Sequence, residues 1–439
     1  MTNTTADPGH IPAPEEVQAG VVKKVLGASF LGNFVEWFDY ASYGYLATAI
    51  AVAFFPNRDP QAALMATFAV FAISFVVRPV GGIIWGLIGD RLGRRTALSW
   101  SILIMSGATT LIAFLPSYQS IGIWAPILLL LLRIVQGFSA SGEYAGAAAF
   151  ISEYSPPSKR GLYTSMVPAS TATGLLAGSL MSAALYWLLS DAQMHSFGWR
   201  LPFLLAFPLG IVGLYIRLKL EDTPKFRELE AEQQVERTPI RDLFTFHRRE
   251  VIIAFGVTCL NAVGFYLILS YMPTYLSEEL GMEHAVSTLA TSVSLITYIF
   301  LIFLMGRLSD IFGRKTALIT ASVLFILLTV PLFRMLDGMG FAMVILIQIA
   351  FGALLTINDG TLATFLTELF PTRVRFSGFA FSFNSANALF GGTAPFMATW
   401  LIGLSGSKLA PAWYLVAAAV VALIAMLMAT ETAGKPLKD

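Results

Sequence analysis

Long apolar runs decide what this chain can fold into. Twelve apolar segments, most at least as long as the roughly 20 residues that a helix needs to cross a bilayer, alternate with short polar stretches. They lie near 22–54, 63–88, 96–115, 121–152, 161–189, 200–218, 250–276, 286–306, 316–336, 340–368, 376–403 and 411–430. Charged residues make up 13% of the chain, about half of what a soluble domain carries. We predict an all-α integral membrane protein with twelve transmembrane helices.

Basic residues divide unevenly between the two sides that twelve spans define. With the N-terminus inside, 22 of the 28 Lys and Arg residues fall on the inner side and 4 on the outer side, while Arg78 and Arg133 lie within spans. Because basic residues accumulate in cytoplasmic loops, we predict that both termini are cytoplasmic. We expect a multi-pass protein of the inner (plasma) membrane. The net charge of +1 gives no reason to expect a nucleic-acid partner.

Two pairs of similar stretches divide the chain into halves. GLIGDRLGRRTAL at 86–98 matches GRLSDIFGRKTAL at 306–318, and EYSPPSKR at 153–160 matches ELFPTRVR at 368–375. Both pairs are separated by about half the chain, which indicates two six-helix bundles in parallel orientation. The predicted parts are a cytoplasmic N-terminal tail at 1–20, an N-terminal bundle at 21–218, a solvated cytoplasmic linker at 219–249, a C-terminal bundle at 250–430 and a cytoplasmic C-terminal tail at 431–439.

The first span contains two carboxylates, Glu36 and Asp39, in GNFVEWFDYASYGY. Ionised side chains at membrane depth cost roughly 2.5–3.5 kcal/mol each on insertion scales. All four histidines lie outside the spans, so a proton carrier within the membrane has to be an Asp or a Glu. We interpret Glu36 and Asp39 as proton-coupling residues. The alternative is a structural ion pair with Arg78 or Arg133.

Arg78, Arg133 and Glu143 are further charged residues at membrane depth. Neither arginine is expected to face lipid. Each is a candidate partner for a substrate carboxylate, which guanidinium binds in bidentate fashion, or for one of the buried acids. Glu143 follows Arg133 by ten residues, about 80° around a helix, so the two need not pair directly.

Aromatic and polar side chains suggest a binding cavity. Trp37, Tyr40 and Tyr43 recur every three residues and are expected to share a broad helix face. Aromatic faces attract quaternary ammonium by roughly 0.5–2 kcal/mol each; helix packing is the alternative. In the second half, the residues that could face the same cavity are Asn261, Tyr266 and Tyr271, with Asn358 and Asp359 also polar at depth. The role of Asp359 stays open.

The repeated loop carries a family motif. Gly86, Asp90, Arg91, Gly93, Arg94 and Arg95 form G-x-x-x-D-R-x-G-R-R between spans 2 and 3, and Asp310, Gly313 and Arg314 form a degenerate copy between spans 8 and 9. This duplicated motif resembles the major facilitator superfamily. RIVQGFSASGEYAG, LEDTPKF and ALFGGTAPFMATWL resemble its metabolite:proton symporter family, and IGIWAPILLLLLRIVQGFS and SYMPTYLS resemble the branch that imports proline and glycine betaine.

The resemblance implies a fold and a division of labour. The fold is the major facilitator fold, whose two bundles rock about a central site formed by spans 1, 4, 7 and 10. Asp90 is expected to meet the N-terminus of span 11 and, with the rest of the motif, to gate the transporter. Arg133 fits an arginine motif (R-x-x-Q-G) that the superfamily associates with proton transfer. The residues expected to couple protons are Glu36, Asp39, Arg133 and Glu143, and those expected to bind substrate are Trp37, Tyr40, Tyr43, Arg78, Asn261 and Tyr266.

The expected function is proton-coupled import of a small zwitterionic compatible solute by alternating access. A proton symporter of a carboxylate metabolite (2-oxoglutarate, citrate or shikimate type) is the alternative. A drug exporter is disfavoured, because MVPASTATGLLAGS in span 5 lacks the Gly-Pro element of drug:proton antiporters, and a non-transporting sensor is a more distant reading. No catalytic site, metal site or cofactor is expected. The partners are the solute, the proton and the bilayer, and the protein is expected to act as a monomer.

Overall fold

The computed structural model describes residues 19–55, 60–232, 239–338 and 340–438, and every regular element in these ranges is helical. The first half forms α1 (Ala19–Tyr45, continued by Ala47–Phe54), α2 (Pro60–Val76 and Arg78–Leu92), α3 (Arg94–Phe114), α4 (Trp124–Ala140 and Glu143–Tyr154), α5 (Arg160–Thr164 and Met166–Leu188) and α6 (Leu201–Leu218). The second half forms α7 (Arg248–Tyr266, continued to Glu279), α8 (His284–Phe312), α9 (Arg314–Leu336), α10 (Phe341–Leu369), α11 (Arg375–Ala386, continued to Ser405) and α12 (Ala410–Met428).

The twelve-helix prediction is confirmed. Eleven helices in the described part of the chain are long and apolar enough to cross a membrane. The twelfth is α1, whose apolar run is interrupted by Asn33, Glu36 and Asp39. Polar side chains in a spanning helix are tolerated where they face the bundle interior, and all three are buried.

The two halves meet along matching pairs of helices. α2 packs along α11, and α5 packs along α8. The helices approach closely at Gly89 with Phe376 and at Gly161 with Gly306, beside the turns at Gly93 and Gly313. The described C-terminus bonds Thr372 there, and Val25 near the start of α1 packs in the same cluster as Phe376; we call this end of the molecule the termini face. Gly93 and Gly313 have φ angles of 98° and 97°, a conformation that side chains rarely adopt. The duplicated motif therefore repeats a backbone turn as well as charges.

Three segments of α7 and α11 are wound as π-helix. They are Leu267–Tyr271, Tyr275–Glu279 and Asn387–Gly391. Single π turns within α-helices often occur at functional sites. The turn in α11 ends beside the ring of Tyr266, and a Cβ atom on Gly391 would lie 2.7 Å from that ring. Glycine here lets α11 pass close to α7.

The segment predicted as a solvated linker packs in part against the bundles. Residues 233–238 of it lie outside the described ranges. Two short helices flank that gap, Pro224–Ala231 and Pro239–Phe246. The first buries Phe226 and Leu229, and the second buries Leu243, because each helix places its apolar residues on the face toward the bundles.

Candidate functional site

A small cavity lies between the bundles at the centre of the molecule. It is lined by Trp37, Tyr144, Pro168, Thr171, Asn261, Phe265, Tyr298, Asp359, Phe383 and Asn387. Its volume is about 20 Å³. A single water needs roughly 10–15 Å³, so the cavity holds about one water molecule. The structure therefore shows a closed conformation around this cavity.

Beside the cavity, Glu36 of α1 forms an ion pair with Arg78 of α2 at 2.8 Å. Both side chains are buried. The Arg78 guanidinium also stacks near two aromatic rings, 4.9 Å from the centre of Tyr40 and 4.7 Å from that of Phe75. Only one oxygen of Glu36, Oε1, accepts a hydrogen bond from Arg78. Within the described residues, the other oxygen, Oε2, and the Nε atom of Arg78 have no hydrogen-bond partner.

One turn further along α1, Asp39 forms a second ion pair, with Arg133 of α4 at 2.8 Å. The side-chain amide of Gln136 donates to the same carboxylate oxygen, Oδ2, at 3.2 Å. The structure thus shows both ion pairs that the sequence left open as alternatives. An ion pair does not exclude a coupling role, because each carboxylate keeps one oxygen without a partner among the described residues.

Tyr43 lies apart from the other two aromatic residues of the predicted face. Its ring packs 3.7 Å from the Arg133 guanidinium, and its hydroxyl donates to the Thr67 carbonyl. At 100° per residue, a step of six residues turns a side chain by about 120°, so Tyr43 points into the N-terminal bundle. Trp37 reaches the cavity. The ring of Tyr40 lies next to that of Trp37, with 6.0 Å between the ring centres.

Glu143 pairs with Arg217 of α6 and not with Arg133, in agreement with the sequence argument. The two Glu143 oxygens accept from Arg217 at 2.9 and 2.7 Å, and the Ser101 hydroxyl also donates to Glu143. This network lies within the N-terminal bundle. The structure therefore does not bring Glu143 to the cavity or to the Asp39–Arg133 pair.

Residues of the C-terminal bundle complete the site. Asp359 of α10 accepts hydrogen bonds from Asn261 at 2.7 Å and from the Tyr298 hydroxyl at 2.6 Å. Tyr266 lies between the bundles, with its ring 5.8 Å from Phe75 and its hydroxyl without a partner in the described ranges. Tyr271 instead bonds Thr399, at 3.0 Å.

Asp90 and Asp310 join the bundles at the termini face. Asp90 accepts from the backbone N–H groups of Phe376 (3.1 Å) and Ser377 (2.8 Å), at the N-terminus of α11 as expected. Asp310 accepts in the same way from Gly161 and Leu162 at the start of α5. A carboxylate at a helix N-terminus gains about 0.3–1 kcal/mol from the helix dipole. Each half thus caps a helix of the other.

Gly86 and Arg91 have different surroundings within the motif. A Cβ atom on Gly86 would lie 2.5 Å from the Ser377 Cα atom, so glycine allows α2 to approach α11. Arg91 is exposed. Arg95 bonds the Leu218 carbonyl at 2.7 Å, at the end of α6.

The second repeated motif supplies charge pairs between the halves, which the sequence analysis did not assign. Glu153 pairs with Arg375 at 2.7 Å, and Glu368 pairs with Arg160 at 2.8 Å. Each glutamate also contacts the motif arginine of its own half: Glu153 lies 3.4 Å from Arg94, and Glu368 lies 3.2 Å from Arg314. The shared pattern E-x-x-P-x-x-x-R was the available signal.

Asp222 and Glu431 extend this network from segments predicted as linker and tail. Asp222 accepts from the N–H groups of Arg94 and Arg95 at 3.1 and 3.2 Å. Glu431 accepts from those of Arg314 and Lys315 at 2.9 and 3.0 Å. The threonine after each acid then donates to the glutamate of its half, Thr223 to Glu153 and Thr432 to Glu368.

The two acids differ in their pKa. Burial raises the pKa of Asp222 above its usual value, and bonds from backbone N–H groups only partly offset it. Burial also opposes ionisation of Glu431, but backbone N–H groups, those of Ala433 and Arg314 foremost, outweigh it and hold the pKa of Glu431 below its usual value.

Known proteins match this chain over nearly its full length. The family model described as Major Facilitator Superfamily matches residues 29–288 and 254–437. The glycine betaine/proline/ectoine/pipecolic acid transporter OusA of Dickeya dadantii (strain 3937) is 38% identical over 431 residues, covering 96% of this chain and 86% of that protein. The proline/betaine transporter of Escherichia coli (strain K12) is 36% identical with the same coverage. A putative proline/betaine transporter of Staphylococcus aureus (strain COL) is 37% identical, covering 96% and 91%.

Solved structures show the same fold. The proton:xylose symporter XylE bound to 6-bromo-6-deoxy-D-glucose has a TM-score of 0.78 at 17% identity, covering 95% of this chain and 98% of that one. XylE from E. coli in an inward open conformation has a TM-score of 0.67 at 18% identity, with the same coverage. The chain is therefore a multi-pass membrane transporter, not an enzyme, and belongs to the major facilitator superfamily in the family of these proline/betaine transporters.

Proposed function

We propose that the chain is a proton-coupled symporter that imports a small zwitterionic compatible solute of the proline or glycine betaine type. The observation that carries the proposal is the Glu36–Arg78 pair beside an aromatic-lined cavity between the bundles. The relatives named as proline/betaine transporters support the substrate class. The proposed setting is the inner membrane, with both termini cytoplasmic and the monomer as the functional unit.

Competition for Arg78 would couple the two fluxes. A solute carboxylate that reaches Arg78 draws the guanidinium away from Glu36, because arginine binds carboxylates in bidentate fashion. The Glu36 carboxylate then lies buried without its counter-charge, and a buried acid in that position binds a proton. Solute and proton therefore favour each other's binding. Asp39 and Arg133 form a second pair that can act in the same way.

Alternating access requires the termini face to open and close. In the closed state described here, Asp90 and Asp310 hold helix N-termini of the opposite half. Opening toward this face breaks both sets of contacts. The proposed cycle loads the site from the other face and releases solute and proton at the termini face.

Uptake by proteoliposomes tests the proposal. The purified protein is reconstituted, and an acid-outside pH gradient is imposed with radiolabelled glycine betaine, proline or 2-oxoglutarate outside. We expect accumulation of betaine or proline that collapses with a protonophore and is missing in protein-free vesicles. Accumulation of 2-oxoglutarate alone would support the carboxylate symporter instead, and no gradient-driven flux of any of the three would contradict proton-coupled import.

A further inference from the structure

Asp359 differs from the other buried carboxylates in its partners. Seven carboxylates are buried in the described residues. Six of them have an arginine nitrogen within 3.1 Å: Glu36, Asp39, Asp90, Glu143, Glu153 and Glu368. Among the described residues, Asp359 has only neutral donors, the Asn261 amide and the Tyr298 hydroxyl.

A buried carboxylate without a counter-charge is unfavourable when ionised. The two donors to Asp359 favour the ionised form, since both bond the oxygens of the carboxylate. The two donors support a negative charge on Asp359, but none of the described groups neutralises it. Burial opposes ionisation, so Asp359 either holds a proton or is neutralised by a cation that enters the cavity, which Asp359 lines.

The walls around Asp359 are aromatic. Tyr144 and Phe383 stack in parallel, 4.4 Å between ring centres, and Phe265 lies edge-on to Trp37 at 5.3 Å. All four rings line the cavity with Asp359. Aromatic faces and a carboxylate together favour an organic cation, because the rings attract its diffuse charge and tolerate its methyl groups.

Hydrogen-bond donors that lack partners among the described residues also lie at or near this cavity. The Trp37 indole N–H, the Tyr266 hydroxyl and the Arg78 Nε have no hydrogen-bond partner in the described part of the chain. Unsatisfied buried polar groups are costly unless a ligand or water completes them. Donors on α1, α2 and α7 and the Asp359 carboxylate on α10 match the two ends of a zwitterion.

We propose that Asp359 is the anionic counter-group for the ammonium head of the transported solute, while its carboxylate is directed to Arg78. This inference rests on the proposed function and specifies how its site distinguishes a zwitterion from a dicarboxylate, which Asp359 repels. The closed cavity is smaller than such a solute, so binding takes place when the bundles move apart.

A pair of isosteric ligands tests the inference. Glycine betaine and 3,3-dimethylbutyrate have the same shape, but the isostere has a neutral carbon in place of the ammonium nitrogen. Equilibrium binding of each is measured calorimetrically to the wild-type transporter, to Asp359→Asn and to Asp337→Asn. Asp337 is the matched control, since its side chain is 67% exposed.

We expect the wild type and Asp337→Asn to bind betaine at least tenfold more tightly than the isostere. In Asp359→Asn this preference should fall at least tenfold, with the affinity for the isostere equal to or higher than in the wild type. An undiminished preference in Asp359→Asn overturns the inference. If that variant does not fold, Tyr298→Phe removes one donor to the carboxylate and should lower the preference in the same direction; an unchanged preference in it counts against the inference.

Failure of the proposed function gives a different result. If the wild type binds neither betaine nor proline, the substrate class itself is wrong. If Asp359→Asn binds betaine normally and exchanges it across the membrane, but no longer accumulates it in a pH gradient, then Asp359 carries protons only. That result overturns the ammonium assignment and leaves the proposed symport intact.

Discussion

Removing the charge of Asp90 should open the termini face. Asp90 accepts two backbone N–H groups at the start of α11, at 3.1 and 2.8 Å. Hydrogen bonds to a charged group contribute about 1.5–3 kcal/mol each. Asn at this position keeps one acceptor oxygen, so Asp90→Asn loses about one such bond. At 1.4 kcal/mol per factor of ten, the ratio of open to closed molecules should rise about 10- to 150-fold.

Distances between spin labels measure this shift. Leu92 and Phe312 are exposed residues at the termini-face ends of α2 and α8, and labelled cysteines there report the separation of the bundles in a Cys259→Ser background. We expect longer distances to gain population in Asp90→Asn. Asp191→Asn, an exposed site on a short helix outside the termini face, should leave the distribution unchanged. Identical distributions for wild type and Asp90→Asn would refute the idea that Asp90 holds the termini face closed.

Three further predictions concern coupling, backbone conformation and pH. Glu36→Gln and Asp39→Asn should abolish accumulation of betaine in a pH gradient, and normal accumulation by both variants would contradict their coupling role. Gly93→Ala should lower the free energy of unfolding by roughly 1–3 kcal/mol, because alanine is strained at the positive φ of this position. The control Gly107→Ala has open space around the added methyl group and should not lower it. Melting temperatures in detergent compare the two variants with the wild type. Because the pKa of Glu431 is lower in the folded protein than its usual value of 4.5, the ionised side chain stabilises the fold at pH values above 4.5. This contribution is lost as pH falls through the folded-state pKa. Glu431→Gln should therefore flatten the loss of stability as pH falls below about 4.5, and an unchanged pH profile would argue against the assignment.

Hydropathy and the duplicated motif were enough to predict the helices and the Asp90 contact. Spanning helices can be predicted from the local composition of the chain. The Asp90 contact could be predicted because the motif that contains Asp90 is long enough to be recognised as that of a known family. The sequence could not choose the partner of each buried acid. Whether Glu36 meets Arg78 or Arg133 depends on how α1, α2 and α4 pack, which periodicity along one helix does not determine.

Two parts of the site could not be found from the sequence for other reasons. Asp222 and Glu431 are followed by threonine in both halves, but a two-residue repeat is too short to distinguish from chance. Tyr43 shares its spacing with Trp37 and Tyr40, yet a spacing of three residues falls short of a full helical turn. The deviation accumulates over two steps and directs Tyr43 away from the cavity.

The paired caps of Asp90 and Asp310 have a mechanical consequence. The two caps act in parallel, and each half holds a helix of the other. Damage to one cap alone should let the bundles separate unevenly, leaving a slit wide enough for a chain of water molecules but too narrow for a solute. A carrier with one broken cap should therefore leak protons in the absence of solute. A pH-sensitive dye inside vesicles that contain Asp310→Asn would detect that leak, and a tight membrane would show that the two caps release only together.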